Sequence, residues 1–115
     1  MGLRNMLVRG KDSDIGHILE NVVYLELIRR GYEVFVGEID DGEVDFVAKT
    51  DDGQYLYYQV AASTLDPNTL KRELAPFKRI ADNYPKTLLT LDEVFSTADY
   101  EGIQKRNVLD WLLDE

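Results

Sequence analysis

Apolar positions recur along this chain in two periods, and the switches between them mark out the elements. Over "DSDIGHILENVVYLELIRRG" (12–31), Ile15, Ile18, Leu19, Val22, Leu25 and Ile28 follow helical spacing. Asp12, Ser13 or Asp14 is suited to cap the start, because a short side-chain oxygen accepts the free amide protons of a first turn. Arg29 and Arg30 suit the negative end, and Gly31 supplies the stop. Apolar residues cover much of the helix circumference, which predicts packing against a sheet. "YEVFVGE" (32–38), "GEVDFVAKT" (42–50) and "QYLYYQVAA" (54–62) are β-branched and aromatic runs separated by the turn formers "IDDG" and "DDG". They predict an antiparallel meander.

Asp66-Pro67 then opens a second helix, with Pro at the position where its missing N–H costs nothing. Pro76 is expected to kink or end that helix. "KTLLTL" (86–91) reads as a short buried strand and "DEVFSTADYEG" (92–102) as a polar connection. "IQKRNV" reads as a last short strand before a terminal helix "LDWLLD", with Trp111, Leu109, Leu112 and Leu113 as its core anchor or, failing that, a docking face. Residues 1–11 show no clear period. The order α-β-β-β-α-β, with a small β-α tail, predicts an α/β fold with a mixed sheet flanked by helices.

A chain of 115 residues suffices for one domain with a core and not for two. With 44% hydrophobic and 30% charged residues it has a globular balance. No apolar run is long enough to span a bilayer, and no basic and hydrophobic leader opens the sequence. Met1-Gly2 begins like an acylation signal, but Met6 stands where Ser or Thr is required. A cytoplasmic protein without membrane partners is therefore expected. Without cysteine, and with one histidine, the chain offers neither disulfides nor a structural zinc site. The net charge of −9, from 22 acids against 13 bases, weighs against an extended nucleic-acid surface. Lys71, Arg72, Lys78, Arg79 and Lys86, and separately Lys105-Arg106, could still form local phosphate-binding patches, although such groups are more often a solvated face. Tyr55, Tyr57 and Tyr58 could stack bases, but ordinary strand composition explains them better.

Candidate chemistry lies on three elements. Helix 1 carries Glu20, with His17 three residues before it and Tyr24 four after. A lone helical histidine of this kind is more often a surface or hydrogen-bonded residue than a ligand. The second strand carries Asp45, between Val44 and Phe46, whose side chains should point to the opposite face. An acid in an apolar strand must be paired or bind a cation. The third strand carries Gln59, with Ala61 two positions on and on the same face.

Glu on the first helix, Asp on the second strand and a polar-x-residue pair on the third resemble the order of the PD-(D/E)XK nuclease superfamily, which includes Holliday-junction resolvase and RecB-like nucleases. That resemblance implies a restriction-endonuclease-like α-β-β-β-α-β core, in which two acids hold a divalent metal and a lysine steadies the attacking water. Carried over residue by residue, Glu20 and Asp45 match the acidic positions. Gln59 stands where an acid is expected, as a weaker ligand for a hard cation, and Ala61 stands at the lysine position. Lys49 lies roughly 13 Å along the strand from Asp45. Lys71 or Arg72 on the next helix is better placed to substitute, with Glu73 as a replacement acid.

The segments "GHILENVVYLELIRRGYEVFVG", "GEVDFVA", "YYQVAAS", "ELAPFKRIADNYPKTLLTLD" and "YEGIQKRNVLDWLL" resemble one module over about nine-tenths of the chain. It is the C-terminal domain of unknown function carried by archaeal and bacterial AAA-type P-loop ATPases, and "GLRN" is similar to the joint where it leaves the ATPase part. This implies that residues 1–115 are a single nuclease-like domain cut from a larger ATPase, whose ATPase domain is its partner. The chain itself has no GxxxxGK[ST] and cannot hold ATP in a P-loop.

Three functions compete. The first is an accessory ATPase module with a degenerate, inactive nuclease-like site used for protein or nucleic-acid interaction, for which no cofactor is expected. The alternative is an active Mg²⁺-dependent DNA or RNA nuclease using Glu20, Asp45, Gln59 and a displaced base. The third is an interaction domain that forms a homo-oligomer through a sheet edge or the terminal helix.

Overall fold

The computed structural model describes residues 11–36, 44–80 and 82–114. Its elements are α1 (Lys11–Arg29), β1 (Glu33–Val36), β2 (Phe46–Lys49), β3 (Tyr55–Val60), α2 (Pro67–Lys78), β4 (Lys86–Thr90), β5 (Ala98–Tyr100), β6 (Ile103–Asn107) and α3 (Val108–Leu113). They build a six-stranded mixed sheet in the order β1-β2-β3-β4-β6-β5. The first three strands form the expected antiparallel meander. Helix α2 then carries the chain to β4, which is parallel to β3 and to β6, and β5 closes the far edge antiparallel to β6. Strand alternation splits the core into two layers. Leu19, Val23 and Leu27 of α1, with Val108 and Trp111 of α3, cover Phe46, Ala48, Tyr58, Val60 and Leu89. Leu74 and Phe77 of α2 cover Val47, Tyr57, Leu88 and Ile103 on the other face.

Several expectations need correction. Asp12, Ser13 and Asp14, expected at the start of the first helix, lie inside α1, which runs from Lys11. The start of α2 is as expected: Asp66 accepts the Asn68 amide at 2.9 Å and Pro67 occupies the first turn. Pro76 is buried within the last turn, and the helix ends two residues later at Lys78. The "IDDG" turn lies outside the described residues.

The stretch read as a polar connection contains β5. Its hairpin to β6 turns on Glu101 and Gly102, with φ of 56° and 92°. Two successive positive φ values define a primed turn, usually signalled by Asn-Gly or Asp-Gly. Glu-Gly hides that signal, because a glutamate seldom adopts left-handed backbone.

Polar groups at the carboxyl ends of the parallel strands are buried and mutually satisfied. Lys105, read from sequence with Arg106 as a surface pair, is 2% exposed. Its ammonium meets Asp92 Oδ2 at 2.7 Å, while Arg106 pairs with Asp114 at 3.1 Å. The same Asp92 oxygen accepts the Thr64 amide at 3.0 Å and the Thr64 hydroxyl at 3.1 Å. The Asp92 carbonyl accepts from Asn107 Nδ2, and Asn107 Oδ1 in turn accepts the Leu109 amide as cap of α3. Burial by itself would raise the Asp92 carboxyl, but the Lys105 ammonium and hydrogen bonds from Ser63 and Thr64 outweigh it and hold it at about 2.

At the far end of α1, Arg30 bonds Glu26 at 2.7 Å. It also donates to the Trp111 and Asp114 carbonyls, and its guanidinium lies 4.4 Å from the Trp111 ring centroid. Arg29 and Arg30 together hold Glu26 at about 2, against the opposing effect of burial.

Removing either partner of the Asp92–Lys105 pair strands the other charge in the interior, at a cost of about 3–5 kcal/mol. Urea denaturation of Asp92→Asn and Lys105→Met should show this, and Asp92→Leu/Lys105→Met should lose less than the sum. The folded Asp92 pKa lies below its ordinary 3.8, so its contribution is complete above that value and fades as pH falls toward 2. Wild type should therefore lose more stability than Asp92→Asn between pH 4 and 2, measured by urea midpoint.

Candidate functional site

Asp45, Gln59 and Glu73 meet where β2, β3 and α2 come together, whereas Glu20 lies apart from them on α1. Asp45 sits one residue before β2 begins. The chain bends there: Val44 packs in the α2 layer and Phe46 in the α1 layer, so the two flanking side chains do not share a face as strand alternation required. The Asp45 amide donates to Gln59 Oε1 at 2.6 Å. One Asp45 carboxylate oxygen accepts the Val60 amide at 2.9 Å.

Gln59 itself is 3% exposed. Its Nε2 donates to the Glu73 carbonyl at 3.2 Å and to Glu73 Oε1 at 3.3 Å. This amide orientation is fixed by its neighbours, since one offers only a donor and the other only acceptors. Gln59 thus ties the start of β2, the middle of β3 and the second turn of α2 together. Ala61, at the lysine position, is buried and carries no polar group.

Beside this brace opens a cleft of about 480 Å³ between α1 and α2, at the carboxyl end of β3. Glu20, Glu73, Arg72, His17, Asp66 and Ser63 are among its lining residues; Asp45 and Gln59 are not. Glu20 is half-exposed, with His17 Nδ1 3.7 Å from its carboxylate. Burial raises the Glu73 carboxyl; Arg72 opposes that shift and Glu20 adds to it. The structure therefore brings Glu73, the replacement acid, into contact with Gln59 and sets it in the same cleft as Glu20. Among the described residues, no three His, Asp or Glu side chains are grouped to hold a metal ion. The donors fit a divalent cation poorly. Gln59 spends its oxygen on an N–H, and a hard cation requires oxygen ligands that are free to turn to it.

The basic groups divide. Lys71, Arg72 and Lys78 on α2 and Arg79 at its C-cap are all exposed, and their spacing puts them along one side of the helix. Lys86 does not join them. It is buried, and its ammonium donates at 3.0 Å to the Asp82 carbonyl, to Asp82 Oδ1 and to the Tyr84 carbonyl, which uses all three protons. Asp82 also accepts the Tyr57 hydroxyl at 2.6 Å, and burial followed by this carboxylate pushes the Tyr57 phenol up. Tyr57 and Tyr58 are buried in opposite layers and Tyr55 packs edge-on against Tyr84 at 5.4 Å, so the three form no stacking platform. Trp111 is a core anchor as expected, whereas Leu109 and Leu113 are exposed.

No protein-family model matches the chain. A protein of Haemophilus influenzae, described as uncharacterized, is 40% identical over 112 residues, which make up 97% of this chain and 27% of that protein. The chain thus spans about a quarter of the length of the relative it matches. Among solved structures, it is similar to the crystal structure of a repair endonuclease from Pyrococcus abyssi. The match has a TM-score of 0.42 and 18% identity, over 83% of this chain and 41% of that chain.

Gln59→Glu should test the brace directly. It removes the donor to Glu73 and sets two carboxylates against each other, which should cost about 1–3 kcal/mol at neutral pH. A carboxyl with a raised folded pKa binds its proton preferentially in the folded state, so this cost should grow as pH rises above the ordinary glutamate value of 4.5. Urea midpoints of the variant at pH 5 and pH 8 give the comparison.

Proposed function

We propose that this chain is an accessory module of a larger AAA-type ATPase. In this reading it keeps a restriction-endonuclease-like scaffold, but its site does not hydrolyse phosphodiesters and serves interaction with protein or nucleic acid. The observation that carries the loss of chemistry is the Gln59 side chain. It stands where the nuclease pattern has a metal-binding acid, and both ends of its amide are engaged with Asp45 and Glu73. Ala61 at the lysine position supplies no group that could steady a nucleophile.

The ATPase context is supported by the sequence resemblance and by a relative whose length extends well beyond the matched region. The exposed row Lys71, Arg72, Lys78 and Arg79 is the surface on which a nucleic-acid partner would rest, through phosphate contacts alone.

Incubation with supercoiled plasmid and with branched DNA, in Mg²⁺ and in Mn²⁺, should leave both substrates intact. Calorimetric titration with either ion should show no binding. Cleavage by wild type that disappears in Asp45→Ala and Glu73→Ala would overturn this reading in favour of a metal-dependent nuclease. The longer polypeptide carrying this chain should hydrolyse ATP, and Asp45→Ala should leave that rate unchanged.

A further inference from the structure

Helix α1 is apolar on two sides, and the sheet uses one of them. Leu19, Val23 and Leu27 are buried in the core. On the outward side Ile18, Tyr24, Leu25 and Ile28 remain 39%, 37%, 64% and 45% exposed. At about 100° per residue, positions 18, 21, 25 and 28 share one strip roughly three turns long, with Tyr24 along its border. The patch continues off the helix. The Tyr24 ring lies 6.1 Å from that of Phe46, and the cross-strand neighbour of Phe46 is Val36, which is 68% exposed. Val36 belongs to β1, which pairs only with β2 among the described residues and so forms an edge of the sheet.

We infer that this strip of α1 is the docking face for the further polypeptide of a longer protein that carries this domain, met there by an apolar surface. The occupant follows from two facts. The Haemophilus influenzae protein aligns with 97% of this chain but gives only 27% of its own length to the match, so most of that protein lies outside the domain and is covalently tethered to it. The strip is also small. A standard interface between free partners covers about 800 Å² on each side, more than a few half-exposed side chains provide. A tethered partner needs less, because linkage supplies an effective concentration of order mM before any contact is made. Charge agrees with an apolar protein surface rather than a nucleic acid. The polar residues within and beside the strip are His17, Asn21 and Arg29, and Arg29 is bonded to Glu26 at 2.7 Å. The inference rests on the accessory-module reading only in placing the domain within a longer protein; it does not need that protein to be an ATPase.

Carbene footprinting of the 115-residue chain and of the longer polypeptide that carries it tests the inference. Labelling of Tyr24, Leu25 and Ile28 should fall about fivefold in the longer protein, as expected of side chains entering an interface core. Phe95, which is 75% exposed on the connection between β4 and β5, is the control and should label equally in both. Leu25→Asp/Ile28→Asp, placed in the longer protein, should restore Tyr24 labelling while leaving the circular dichroism of the isolated chain unchanged. Equal labelling of the strip in the two proteins would overturn the inference, as would a reading frame that encodes nothing beyond these residues. A fall in labelling of the isolated chain as its concentration rises would also overturn it, by naming a second copy as the occupant. ATP hydrolysis measured on the same longer protein keeps the two readings apart. Protection without hydrolysis leaves the docking face standing and removes the ATPase, and hydrolysis without protection does the reverse.

Discussion

The Asp92–Lys105 ion pair is the constraint on which the geometry around the cleft depends. It joins the middle of β6 to the residue two past the end of β4, out of reach of water, and there an ammonium persists only with a carboxylate against it. The same carboxylate takes the Thr64 amide and hydroxyl, which fixes the path of the chain after β3. That path leads directly to Asp66, the cap of α2, and so sets where Arg72 and Glu73 face the cleft. On its other side Asp92 holds Asn107, whose side chain starts α3 and seats Trp111 on Tyr58 at 5.5 Å. One buried charge pair thereby orients elements on both layers of the sheet.

Much of this architecture was legible because its signals are local. The meander, the Asp66-Pro67 helix start, the stop after Arg29 at Gly31 with its φ of 89°, and the terminal Trp111 all follow from residues close in sequence. The polar interior was not legible, since a lysine on a short strand carries the same letter whether it faces water or an aspartate. Lys105 and Arg106 are neighbours, yet alternation sends Lys105 inward to Asp92 and leaves Arg106 to pair near the surface with Asp114. Lys86 went astray for the same reason: its partners Asp82 and Tyr84 form a cradle only once the chain has turned into β4. Strand β5 was missed for a different one, since its turn uses a glutamate in a conformation normally left to glycine or asparagine.

The candidate site divides along the same line. Position and order identified Glu20, Asp45 and Gln59, and geometry then gave them different tasks. Glu20 faces open space with Glu73, whereas Asp45 and Gln59 are directed into the backbone of the junction. Asp45 was singled out as an acid that must be paired, and the Val60 amide is one of its partners. The bend at Asp45 creates the need for this arrangement. It places the Asp45 amide one residue outside β2, where Gln59 reaches across from β3 to meet it.

Position 59 has to satisfy two neighbours of opposite kind. Asp45 presents an N–H, which needs an acceptor, and Glu73 presents a carbonyl and a carboxylate, which need a donor. A side-chain amide answers both without charge. A carboxylate would answer only the first and would meet Glu73, already desolvated, with like charge, a conflict that a bound cation could offset. The amide therefore lets this junction close with no ion present, and it does so by engaging the oxygen that an ion would require. At this position stability without metal and affinity for metal pull in opposite directions. The hydrogen bonds at Gln59 answer the first of these demands and engage the oxygen that the second would need.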